Sequence, residues 1–277
     1  MLTMRFWGVR GSLPCPGRDT VIFGGNTSCI EIRADDRLII LDMGSGARPL
    51  GDWLVANDLK KYGKIKADIF ITHTHWDHIM GFPMFTPVYN NETELTITGS
   101  VVSEKENLKD IFEAQFSHNY WPVRYTELAA KIEYNHIKET KLDLGGGLTV
   151  TSKLLNHPAI CLGYRFSYMG KSIAVIYDHE PYSEPEENEK IVQFLKDVDL
   201  LIHDAQYTKE GYIKHKGWGH SSMDHAIETA EKAAAKKTIL FHHDPTHTDI
   251  QLETFEKEYA KNKIPTIMAK EEMVLTV

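Results

Sequence analysis

One short stretch constrains this chain more than any other: His73-Thr74-His75-Trp76-Asp77-His78, three imidazoles and a carboxylate within six residues. It follows directly on Ala67-Asp68-Ile69-Phe70-Ile71-Thr72, an apolar run that reads as a buried strand. Alternation along an extended strand tip sends His73, His75 and Asp77 toward one side. His78 falls out of that alternation and points elsewhere if the chain turns there, so one loop can offer ligands to two neighbouring metal ions. Neutral imidazole and carboxylate suit zinc, manganese or iron, and no cysteine lies nearby to favour a sulfur site. Histidines that merely cap a strand or titrate on a surface have no reason to gather in this way.

The remaining composition is that of an ordinary globular protein. With 277 residues, 42% apolar and 25% charged, the chain can bury a sizeable core. The apolar runs are strand-sized, so no membrane span is expected. The start, Met1-Leu2-Thr3-Met4-Arg5-Phe6-Trp7, lacks the apolar core of a signal peptide. Three scattered cysteines, Cys15, Cys29 and Cys161, are too few for a disulfide framework. These features lead us to expect a cytoplasmic protein. A net charge of −8 argues against a broad electrostatic grip on extended nucleic acid, whereas bound divalent cations would leave room for a small anionic substrate.

No linker, repeat or charge block divides the chain, so a single domain over residues 1–277 is expected. Strand-like runs recur at Cys29–Arg33, Arg37–Asp42, Ile69–Thr72, Leu95–Thr98, Leu148–Leu155, Gly163–Tyr168, Ser172–Tyr177, Leu200–His203 and Thr238–Phe241. The step Tyr168-Met169-Gly170-Lys171 reads as a tight hairpin. Helices are expected over Glu184–Lys196, over Met223–Lys236 behind a Ser221/Ser222 cap, and over Asp249–Asn262. Strands dominate each half and each half ends in helices, an α/β (α+β) pattern suited to two sheets packed face to face with helices outside. The aromatic stretch Gly81–Tyr125 reads mostly as core. The alternative is a lid or an interface insertion at about 82–127, which would be the contact if the chain pairs with a second copy.

Further donors stand at strand ends downstream. His157 follows Leu154-Leu155-Asn156, Asp178 ends Ser172–Tyr177, and His242-His243 ends Thr238–Phe241. Taken in this order behind His-x-His-x-Asp-His, they make the sequence resemble the metallo-β-lactamase superfamily, from Phe6-Trp7-Gly8 to Phe241-His242-His243. The resemblance implies a four-layer αβ/βα sandwich carrying two divalent metal ions, zinc or manganese with iron as a further choice. It implies that His73, His75 and His157 hold the first ion and that Asp77, His78 and His242 hold the second, with Asp178 bridging. His242 is preferred to His243 because the family's histidine commonly stands three residues before a proline. Asp42, in Leu41-Asp42-Met43-Gly44-Ser45-Gly46, matches a family turn beside the site and is read as support or turn chemistry.

Within the superfamily, Gly25-Asn26-Thr27-Ser28, Leu200-Leu201-Ile202-His203-Asp204-Ala205 and Gly219-His220-Ser221-Ser222 resemble the phosphodiesterase branch that includes tRNase Z and PhnP-type enzymes. That likeness pairs Asp204 with His220 near the leaving group, although glutamate is usual at the first position and threonine at Ser222. The function implied is a dinuclear metal-dependent hydrolase that cleaves a small cyclic or nucleotide-type phosphodiester by attack of metal-bound hydroxide. Asp77, Asp204 and His220 would move protons in that reaction. A tRNA 3′-processing endonuclease would need a basic flexible arm, and no Gly/Pro-rich basic insertion is present. A thioesterase or lactonase could use the same metals but has no need of the Asp204 and His220 segments. A metal-binding protein without turnover is the remaining alternative.

Overall fold

The computed structural model describes residues 1–100 and 107–277. One seven-stranded sheet runs through β1 (Leu2–Gly8), β2 (Cys29–Ala34), β3 (Arg37–Leu41), β4 (Ile65–Phe70), β5 (Thr93–Ser100) and β6 (Lys131–Ile137). The other begins with β7 (Lys141–Gly145), β8 (Leu148–Leu155), β9 (Cys161–Tyr168) and β10 (Lys171–Ile176). It continues through β11 (Leu200–Asp204), β12 (Thr238–Phe241) and β13 (Thr266–Met268). The last strand, β14 (Val274–Thr276), returns to flank β1. Both sheets are mixed: β3 through β6 run parallel in one, and β10 through β13 run parallel in the other.

Strict alternation of apolar side chains explains why the sheets stack. Ile39 and Leu41 of β3 face the other sheet, while Leu38 and Ile40 face outward to helices. In the second sheet, Ile173 and Val175 point to the shared core and Ala174 and Ile176 point away. Strands apolar on both faces must be covered twice, and the chain does so with a shared inner core and an outer helical layer on each side. The result is the four-layer αβ/βα sandwich. Among the described residues no helix is long and apolar enough to cross a membrane.

The outer helices differ in detail from expectation. Helix Pro185–Leu195 opens on a proline, which suits the first helical turn. Helix Met223–Lys232 is capped by Ser222, whose hydroxyl accepts the His225 N–H, while Ser221 turns its hydroxyl onto the His179 carbonyl. Helix Asp249–Tyr259 carries a capping box between Thr248 and Gln251. The helix Ala47–Leu54, which continues through a π-helical stretch at Val55–Leu59, lacks an N-terminal cap and was not foreseen. The strand before the motif is shifted toward the N-terminus relative to the apolar run, starting at Ile65 and ending at Phe70. The hairpin at Met169-Gly170 forms with both residues in the left-handed region, as a two-residue I′ connection demands. In the aromatic segment, Phe82, Phe85, Phe112 and Phe116 are buried against the outer face of the first sheet, whereas Tyr120 is exposed. Positions 101–106 of that segment lie outside the described residues.

Candidate metal centre

Strand direction gathers the polar donors. Asp42 follows β3 and the motif follows β4, two parallel neighbours; Asp178, Asp204 and His242 end or follow β10, β11 and β12, three more. The carboxyl ends of both parallel sets open on the same edge of the sandwich, where an open sheet leaves space for a ligand. His157 enters this space from the end of β8. Asp42, Asp178 and His242 all have positive φ (58°, 39° and 63°), a conformation costly for residues other than glycine. Backbone strain of this kind concentrates where the fold must aim a side chain.

Apart from an overlapping third group of Asp178, His220 and His242, the donors meet in two clusters. In the first, His73, His75, His157 and Asp178 each present one ligand atom, all within 4.8 Å of one another. In the second, Asp77 Oδ2 lies 3.1 Å from His78 Nε2 and 3.3 Å from His242 Nε2, and the two histidine nitrogens are 3.3 Å apart. Asp178 belongs to both. Its Oδ2 lies 3.4 Å from His73 Nε2, and its Oδ1 lies 3.3 Å from both His78 and His242. The expectation of a continuous extended tip fails after His75, because Trp76–Ile79 is a helical turn. That turn, rather than strand alternation, carries Asp77 away from His73 and His75 and puts it beside His78. His243 points elsewhere, with Nε2 donating to the Ala269 carbonyl at 2.9 Å.

Four of the five clustered imidazoles are held by Nδ1 and offer Nε2. His73 Nδ1 rests 3.2 Å from Thr72 Oγ1, and His78 Nδ1 rests 2.7 Å from Asp42 Oδ2. His157 Nδ1 donates to the Gly219 carbonyl at 3.0 Å, and His242 Nδ1 to Gln206 Oε1 at 3.0 Å. Fixing one ring nitrogen selects the tautomer whose other lone pair is free for a ligand. Asp42 is fixed in turn by the Thr72 N–H and hydroxyl, at 2.8 and 2.7 Å. Two atoms facing the clusters, His73 Nε2 and Asp178 Oδ1, are buried without any hydrogen-bond partner. Orphaned buried acceptors are costly, and a divalent cation satisfies them, so the donor set fits such an ion.

Charge reinforces this reading. Burial pushes the His73 imidazolium well below its ordinary value, helped by His78, and so keeps the ring neutral. Burial would raise the Asp178 carboxyl, but His242, His78 and His73 together hold it well below the usual range. Burial opposes charge on His78 as well, yet Asp77, Asp178 and Asp42 pull its pKa well upward.

Beside the clusters lies the second pair. Asp204 is fully buried, and its Oδ2 receives His220 Nδ1 and the His179 N–H, each at 3.0 Å, while its Oδ1 receives the Gln206 N–H at 3.1 Å. The short aspartate side chain thus reaches His220, and two backbone N–H groups hold its carboxylate. Burial opposes the His220 imidazolium, but Asp204 and Asp178 outweigh it and lift the pKa to about 9.

Several residues that hold the site carry no sequence signal of their own. The Glu180 carboxylate accepts the N–H groups of Gly217 and Gly219 at 2.8 and 3.0 Å, tying down the loop that delivers His220. Gly219 has φ 87° and sits so close to His157 that any Cβ would overlap the ring. Ser12 donates its N–H to Asp77 Oδ2 at 2.8 Å, from a loop anchored by the fully buried Arg10. Arg10 donates to the carbonyls of Gly24, Asp244 and His247.

A family model described as the beta-lactamase superfamily domain matches residues 46–243. The chain belongs to that family. Among its relatives in the beta-lactamase superfamily, ribonuclease Z of Haloarcula marismortui is 24% identical over 284 residues, covering 87% of this chain and 86% of its own. The solved structure of human tRNase Z, short form, superposes with a TM-score of 0.70 at 21% identity, over 99% of each chain. A diphosphatase from the PhnP family superposes with a TM-score of 0.69 at 18% identity, over 100% of this chain and 98% of its own. The beta-lactamase fold is therefore shared along the whole chain, with both sheets and both helical layers included.

Proposed function

We propose that this protein is a dinuclear metal-dependent hydrolase that cleaves phosphodiester bonds in a small cyclic or nucleotide-type substrate. In this reading His73, His75 and His157 hold one divalent cation, Asp77, His78 and His242 hold the other, and Asp178 is shared between them. Zinc and manganese both suit these donors, and iron is compatible with them. Bound divalent cations supply charge to the phosphoryl oxygens and acidify water, the two effects an anionic diester needs. Asp77 and Asp178 are placed to take the proton from the attacking water. Asp204 holds His220 by Nδ1, leaving Nε2 to hand a proton to the departing alkoxide as the P–O bond breaks. Such help is worth roughly 10²–10⁴ in rate.

The observation that carries this reading is the Asp204–His220 pair beside the two clusters, since thioester or lactone cleavage has no need of it. The test is a panel of bis-p-nitrophenyl phosphate, a thioester and a lactone, run with protein stripped by chelator and then reloaded. Diester cleavage should vanish on stripping and return with manganese or zinc. Diester cleavage that survives thorough chelation, or a faster thioester or lactone reaction, would overturn the reading. A second reading, tRNA 3′-end processing, is favoured by the near full-length match to ribonuclease Z. Salt-sensitive cleavage of a precursor tRNA would establish it in place of the small substrate.

A further inference from the structure

The loop that presents the metal-binding side chains also forms one wall of a separate cleft. Thr74, between His73 and His75, and Trp76, at the start of the helical turn, both line a cavity of about 450 Å³. This lies within the range of small-molecule sites, about 300–1,000 Å³. The aromatic segment contributes Tyr120 and Trp121 to the same lining. Trp76 and Tyr120 are 71% and 74% exposed, an unusual state for two large rings facing one hollow. No lysine, arginine or histidine lines the cleft among the described residues, so it is not built for the phosphate. Besides Thr74 it carries two polar groups, the exposed Asp110 carboxylate, which also accepts the Asn107 N–H of its helix cap, and the Gln115 amide, whose Nε2 is buried without a partner. Together they offer an acceptor and a donor of hydrogen bonds to the edge of a flat, neutral ring.

We propose that this cleft is a subsite for the nucleobase of the substrate, stacked against Trp76 and Tyr120 with its edge met by Gln115 and Asp110, beside the diester at the metals. The proposal rests on the phosphodiesterase reading and narrows it to nucleoside-bearing diesters. Stacking on an aromatic side chain is sequence-tolerant and contributes about one factor of ten or more in affinity per base. The lining itself names this occupant: rings for the face, amide and carboxylate for the edge, and among the described residues no cation for a phosphate.

Two measurements test it on the metal-loaded protein. The first compares kcat/KM for thymidine 5′-(p-nitrophenyl phosphate) and methyl p-nitrophenyl phosphate, which share leaving group and diester charge. The nucleoside ester should be preferred by about tenfold or more, and Tyr120→Ala and Trp76→Ala should each shrink that ratio several-fold. The second compares binding of adenosine 5′-monophosphate and ribose 5-phosphate by calorimetry, which needs no turnover. The base should tighten binding about tenfold, and Tyr120→Ala, at an exposed rim position, should remove most of that gain. A tighter adenosine complex without cleavage of either diester supports the subsite while sinking the hydrolytic reading. Cleavage of both diesters at equal efficiency, with equal binding of both monophosphates, overturns the subsite and leaves the hydrolase standing. A dimer that Tyr120→Ala converts to monomer with the substrate ratio unchanged also overturns it, because a second copy would then own the surface.

Discussion

At the scale of single residues, the centre is organised by carboxylates rather than by histidines alone. Asp178 turns one oxygen to each cluster. Asp178→Asn replaces one of those oxygens with a donor aimed at a site that needs an acceptor. Metal content, read by elemental analysis, should fall from two ions toward one or none, and diester cleavage should slow by roughly a thousandfold. Full metal content in the variant would refute the shared carboxylate. The His73–His78 motif was legible from residue types alone, whereas His157, Asp178 and His242, each weak singly at a strand end, were assigned only through their order and the family resemblance. The turn at Trp76–Ile79 was not legible, since four residues are too few to show helical periodicity. Gln206 and Ser12 were hidden for another reason: they act through a single amide or backbone N–H, which no local pattern distinguishes from any other polar residue.

At the scale of elements, the loops do the aiming and the helices hold the loops. Glu180 grips the turn through Gly217 and Gly219, and that turn sets both the His157 tautomer and the entry of His220. Glu180→Gln keeps the side-chain shape but weakens acceptance of the two N–H groups. With a poor, alkoxide-like leaving group kcat should fall by about tenfold, whereas p-nitrophenyl esters, which leave without a proton, should change far less. Equal losses on both substrates would mean that Glu180 acts only on stability. Helix caps give a contrasting case. Thr248→Ala removes the cap of Asp249–Tyr259, a cap whose side chain touches none of the clustered donors. It should cost about 1 kcal/mol in urea unfolding with hydrolysis unchanged. The cap at Ser222 could be read from sequence, because capping chemistry is local, whereas the Thr248 cap was not singled out. The edge strands β6 and β7 could not be read, because Lys131–Ile137 and Lys141–Gly145 place charged residues on their open faces and lack a continuous apolar run.

At the scale of the whole molecule, each sheet supplies part of the donor set. His73, His75, Asp77 and His78 come from the loop after β4 in the first sheet, and His157, Asp178 and His242 come from the ends of strands in the second. Bound cations would then bridge the two layers as well as serve chemistry. Removing them leaves Asp42, Asp77, Asp178 and Asp204 buried around a shared hollow with too little positive charge. Chelation should lower the thermal midpoint, and ions at a hundred times their dissociation constant should restore about 2.7 kcal/mol. Scanning calorimetry with and without chelator measures this, and an unchanged midpoint would rule out metal bridging of the sheets. The division between layers also sets an order of events during synthesis. His73 to His78 leave the ribosome long before His242 exists, so the early half of a growing polypeptide displays donors it cannot yet close around an ion. The full donor set is complete only once β12 has been made and the second sheet has docked against the first.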